Sequence, residues 1–108
     1  MPDFGNPFQV LNANRKLTKG ELVRAVRFMV ASEYEAVQLY MQLAESTDDP
    51  VVKAVMTEVA EEEKVHAGEF LRLLKYLAPD EEDFYKEGAK EVEELMEKIK
   101  NCFLQEKK

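Results

Sequence analysis

Apolar residues in the first half of the chain recur at alternating steps of four and three, the period of one helix face: Leu22, Val26, Met29, then position 33, then Ala36, Tyr40 and Leu43. Position 33 holds a glutamate, Glu33. A second series runs Val52, Met56, Val59, then positions 63 and 66, then Phe70, Leu73 and Leu77, and its two interruptions are Glu63 and His66. Local chemistry brackets both series as helices. Thr18-Lys19-Gly20-Glu21 is a capping box, with Leu17 and Leu22 spaced as a hydrophobic staple, so a first helix is predicted from there to about Ser46. Asp49-Pro50 places an N-cap before a proline at the first helical position, and Pro79 stops the second helix at about Ala78.

The link from Ser46 to Asp49 is too short for anything but an antiparallel turn, so residues 18–78 are predicted to form a hairpin with arms on the order of 42 Å long. Residues 1–17 have two prolines, a glycine and no sustained period, and are expected to be an irregular arm whose Phe4, Phe8, Val10 and Leu11 dock elsewhere. Residues 79–108 are expected to hold a turn or short helix from Asp80 to Gly88. An amphipathic helix then carries Val92, Leu95, Ile99 and Cys102 or Phe103, ahead of a polar tail from Gln105 to Lys108. The class is all-α: a two-helix hairpin plus a C-terminal helix.

The interruptions carry the chemistry. A carboxylate in an apolar seam costs several kcal/mol unless it is paired or metal-bound. Glu33 lies 15 residues before Asp48 and Glu63 lies 15 after it, which sets both about 22 Å up their helices, facing each other. His66, three residues beyond Glu63, shares its face one turn along. A glutamate from one helix and Glu-x-x-His from another is half of the ligand set of a di-iron carboxylate bundle. Since the chain has a single histidine, the full set of four glutamates and two histidines requires a second copy, related by a twofold axis through the metals and completing a four-helix bundle. Without metal, the same three residues read as a polar layer that hydrogen-bonds across a bundle and fixes its register.

Further candidates flank these three. Glu35 and Glu62 are placed to feed a cation inward or to orient a ligand, or else form the solvated edge of an acidic helix. Tyr40 stands two turns from Glu33, beside the site or simply in the core. A second apolar set on the first helix, Val23, Phe28, Val30, Val37, Leu39 and Met41, predicts an interface beyond the dimer.

Composition narrows the partners. The 108 residues carry a net charge of -7, which repels nucleic acid and anionic membranes at long range and attracts cations, while also serving plain solubility. No apolar run reaches the roughly 18 residues of a membrane span, and a cytoplasmic location is expected. A single cysteine, Cys102, excludes an internal disulfide and any four-cysteine metal site.

The runs Glu33-Tyr34-Glu35-Ala36-Val37-Gln38-Leu39-Tyr40 and Glu61-Glu62-Glu63-Lys64-Val65-His66-Ala67 resemble the encapsulated ferritins, short rubrerythrin-like members of the ferritin family found with encapsulin compartments. The likeness covers about residues 18–78. It implies a ferroxidase that oxidises Fe(II) to Fe(III) at a di-iron site shared between two chains, with Glu33, Glu63 and His66 as ligands, Tyr40 as a neighbour and Glu35 on an entry route. It also implies iron storage or detoxification by a ring of dimers, inside an encapsulin shell. Ser32 stands where some relatives have an acid and Leu39 where they have tryptophan. The rival readings are a di-iron oxidoreductase or peroxidase of rubrerythrin type, a di-iron oxygenase, a non-catalytic metal-stabilised assembly, and a plain helical interaction module.

Overall fold

The computed structural model describes residues 14–106, and the predicted N-terminal arm lies almost wholly outside them. Three helices follow in order: α1 (Lys19–Glu45), α2 (Pro50–Leu77) and α3 (Glu81–Glu106). No strand occurs among the described residues. None of the helices is long and apolar enough to cross a membrane.

Each end of the hairpin is closed by the chemistry its residues supply. The Thr18 hydroxyl accepts from the Glu21 amide at 3.2 Å, and the Thr18 amide donates to Glu21 Oε1 at 2.9 Å, which completes the capping box. Arg15 adds a forked pair to the same carboxylate, at 2.7 and 3.0 Å. The Arg15 hydrogen bonds, and then the Thr18 amide, hold the Glu21 carboxyl down to about 2 from its ordinary 4.5. At the turn, Asp49 Oδ1 accepts from the amides of Val51 and Val52 at 2.9 and 3.1 Å, capping α2 ahead of Pro50.

The last turn of α1 has no basic residue of its own, and α2 supplies one. Lys53 Nζ donates to the carbonyls of Ala44 and Thr47 at 3.2 and 3.1 Å, placing a cation at the negative end of the helix. The chain is thus pinned on both sides of the bend.

α1 and α2 pack along a line that differs from the predicted seam. The buried residues are Val26, Val30 and Ala44 on α1 and Ala60, Ala67 and Leu74 on α2. Of the predicted stripe only Val26 is among them, while Leu22, Leu43 and Leu73 remain 40%, 48% and 43% exposed. At about 100° per residue, the buried line sits roughly 60° around each helix from the stripe. Alanine explains the difference: with Ala60 and Ala67 at the crossing, the helices approach closely along the line of smallest side chains, leaving the bulkier stripe on an open flank. Of the second apolar set only Val30 is buried, and Leu39 is 61% exposed.

α3 also corrects an expectation. Asp80 to Gly88 is not a separate turn or short helix, because a single helix runs from Glu81 to Glu106 and passes through Gly88 unbroken. One glycine costs about 1 kcal/mol in a helix interior, and the strong helix formers around it, Lys86, Glu87, Ala89 and Lys90, outweigh that. Glu81, Glu82 and Asp83 favour the first turn electrostatically. Every residue from 83 to 105 is exposed. The hairpin, through Leu77, and the segment from Ala78 onward are separate compact units.

Candidate metal centre

Glu33 comes from the middle of α1, Glu63 and His66 from the middle of α2, and the close approach at Ala60 and Ala67 brings them together. His66 Nδ1 lies 3.5 Å from Glu63 Oε2 and 3.8 Å from Glu33 Oε2. One donor atom from each of the three residues falls within 4.8 Å of the others, and they are the only such cluster of acids, histidine or cysteine among the described residues. The matched heights inferred from residue counting are therefore real in three dimensions.

The cluster is unfinished as it stands. Both distances to the imidazole are too long for hydrogen bonds and match loose ion-pair separations instead. Glu33 Oε2 is buried and has no hydrogen-bond partner. A buried carboxylate oxygen left unsatisfied costs on the order of 1–3 kcal/mol, so the fold holds an acceptor ready for something else.

Exposure gives the cluster a direction. The carboxylate side chains of Glu33 and Glu63 are 17% and 18% exposed, against 48% for His66. The glutamates line the floor, at the edge of the hairpin contact, and the imidazole stands on the open flank. Two oxygens and one nitrogen form a hard to borderline donor set that suits iron or manganese, and three donors leave coordination positions vacant for ligands from outside the chain.

The weaker candidates fall outside this group. Glu35 is half-buried and Glu62 exposed, and neither joins the three-residue cluster. Tyr40 lines a shallow apolar groove with Leu39, Leu43, Ser46 and Met56, toward the hairpin turn. Sequence reasoning missed the alanine line that sets the spacing of the site; the signal was the seven-residue interval from Ala60 to Ala67 to Leu74.

Known proteins share this arrangement of helices. The chain superposes on the crystal structure of the encapsulated ferritin domain from Pyrococcus furiosus with a TM-score of 0.77 and 36% identity, over 85% of this chain and 94% of that one. It is 38% identical over 86 residues to a ferritin-like-encapsulin shell fusion protein of the same organism, covering 80% of this chain but 25% of that protein. It is 36% identical over 83 residues to an encapsulin nanocompartment cargo protein of Myxococcus xanthus, covering 77% of this chain and 63% of that one. The chain thus spans less than two thirds of either relative's length. The rubrerythrin family profile matches residues 25–99, taking in all three cluster residues. A helical hairpin with two acids and a histidine at mid-height, and that much of its length in common, makes the chain a member of the rubrerythrin family and a homologue of encapsulated ferritin-like proteins.

Proposed function

We propose that the protein is a ferroxidase whose substrate, Fe(II), binds at Glu33, Glu63 and His66 and is oxidised to Fe(III) with dioxygen as electron acceptor. The observation that carries this reading is the buried Glu33 Oε2, which has no hydrogen-bond partner, with a second carboxylate and an imidazole gathered beside it. An acceptor oxygen left without a hydrogen bond at the edge of the hairpin contact is explained by a cation that arrives later.

One chain supplies three ligands, and two irons side by side need about twice that number. The open flank of the hairpin meets this need if a second copy docks on it. Leu22, Leu43 and Leu73 then leave water, and the twofold axis brings two further glutamates and a second imidazole to the centre. Each glutamate lowers the charge at the irons. The glutamates gathered there would favour the more highly charged Fe(III) product by charge neutralisation, and the two imidazoles would complete the donor set. Enclosure in an encapsulin shell is a further part of the proposal, supported by the encapsulin association named for both homologues, and closure of such dimers into a ring is a part that rests on the family resemblance alone.

Aerobic addition of ferrous iron tests the reading. Wild type is expected to consume oxygen and bind iron, and Glu63→Ala to lose both by about 100-fold. Equal oxygen uptake by the two proteins would refute the enzyme reading. Metal binding without oxygen uptake would leave only a metal-stabilised assembly.

A further inference from the structure

The side of α1 that turns away from α2 is not uniformly in water. Counted at about 100° per residue from the buried Val26, Phe28 sits roughly 160° and Glu35 roughly 180° around the helix, on the side opposite α2. Both are nevertheless half-buried, as is Ala25, whereas Arg24, Ala31 and Gln42 on the same side of the helix are exposed. The shelter therefore follows a strip. Glu21, Ala25, Phe28, Ser32, Glu35 and Leu39 recur at steps of four and three along one edge of α1, and Leu39 at the far end is 61% exposed.

The chain is led onto the start of this strip. Arg15 forks onto Glu21, its first residue, at 2.7 and 3.0 Å. Just before Arg15, Asn14 has a φ of 53°, in the left-handed region that asparagine tolerates, and the backbone bends at residues 14 and 15. Thirteen residues precede Asn14, with Phe4, Phe8, Val10 and Leu11 among them and Asp3 as their one charged side chain.

We propose that this N-terminal segment folds back along α1 of its own chain and lies antiparallel on the strip, with Val10 and Leu11 against Phe28 and with Phe8 between Glu35 and Leu39. The lengths agree. At about 3.3 Å per extended residue, Leu11 and Phe8 fall roughly 10 and 20 Å back from Asn14. At about 1.5 Å per residue, Phe28 and Leu39 lie roughly 10 and 27 Å along α1 from Glu21. A segment this poor in charge gives up little hydration when it docks on an apolar strip. The tether also favours it over any separate partner, because a short link holds it beside α1 at an effective concentration on the order of millimolar. The open flank that carries Glu33, Glu63 and His66 is left free.

Fluorescence of the full-length chain tests this placement. The sequence has no tryptophan, so Phe8→Trp gives the segment the molecule's one indole. Its emission is expected to the blue of a hydrated indole, with acrylamide quenching slowed several-fold. Phe28→Ala in that background should return emission and quenching to the hydrated values, with circular dichroism showing α1 intact. Leu39→Ala, at an exposed position, should move them the same way by less, and it carries the test should Phe28→Ala unfold the chain. Val65→Ala, at a 62% exposed position on α2, should leave them unchanged. Hydrated emission from Phe8→Trp itself would overturn the inference, as would a blue shift insensitive to both Phe28→Ala and Leu39→Ala. A blue shift lost on dilution would put the segment on a second copy and overturn it too. The measurement needs no metal, so its outcome is independent of the ferroxidase reading.

Discussion

The hairpin has a closed face and an open one, both made from the same two helices. Val26, Val30, Ala44, Ala60, Ala67 and Leu74 fill the closed face, and no polar residue among those described is buried as a whole with them, Glu33 contributing only its buried Oε2. The open face carries larger apolar residues, Leu22, Leu43 and Leu73, half in water, with Glu33, Glu63 and His66 at its centre. Hydrophobicity did not choose between the two faces. Side-chain size did, because two helices joined by a four-residue link settle along the line where their backbones come nearest. What is left over, bulky and polar at mid-height, is the surface with chemistry to offer.

The sharpest way to break this contrast is to remove chemistry from the open face alone. Glu63→Ala is expected to abolish iron oxidation, an effect of about 100-fold, with the helical content seen by circular dichroism unchanged. The converse change overfills the closed face. Ala60, 1% exposed, has no room for a larger side chain, and Ala60→Leu should destabilise the protein by about 1–3 kcal/mol in thermal or urea unfolding. Val65, 62% exposed, serves as control, and Val65→Leu should stay within about 0.5 kcal/mol of wild type.

A third change distinguishes site from scaffold by sign. Glu33→Leu removes the stranded Oε2, so the metal-free protein should gain about 1 kcal/mol while iron binding, followed by dialysis and metal analysis, is lost. Loss of stability instead would mean that Glu33 belongs to the scaffold.

Smaller effects probe the ends that hold the two faces in register. Lys53→Met removes the cation on the Ala44 and Thr47 carbonyls and should lower stability by up to about 1 kcal/mol. The smallest effect is at Glu21. Its folded pKa is depressed to about 2 from 4.5, so its contribution is whole above pH 4.5 and disappears as pH falls through about 2. Arg15→Ala should therefore unfold slightly more easily than wild type at neutral pH, and the two should converge across that window. A titration of the Glu21 carboxylate by NMR should show its pKa moving back up in the variant.

Much of the architecture could be read in advance because its signals are local. Thr18 with Glu21, Asp49 with Pro50, and Pro79 each act within one turn of the backbone, and the helices begin and end within a residue or so of where these place them. The level meeting of Glu33, Glu63 and His66 followed from the equal arm lengths of a tightly turned hairpin. Two matters were hidden. Gly88 resembled a break, and only the summed propensity of its neighbours carries the helix through it. The contact line was misplaced because periodicity reports which residues share a face without saying which face turns inward.

The amino-acid sequence alone determined the caps, the lengths and antiparallel sense of α1 and α2, and the height at which acids and imidazole face one another, since rise per residue and capping chemistry need no tertiary partner. Tertiary structure alone decided the rotation of each helix about its axis. That rotation comes from packing the smallest residues at the crossing, and it decides that Glu33 ends with a buried oxygen while His66 stands at the open edge.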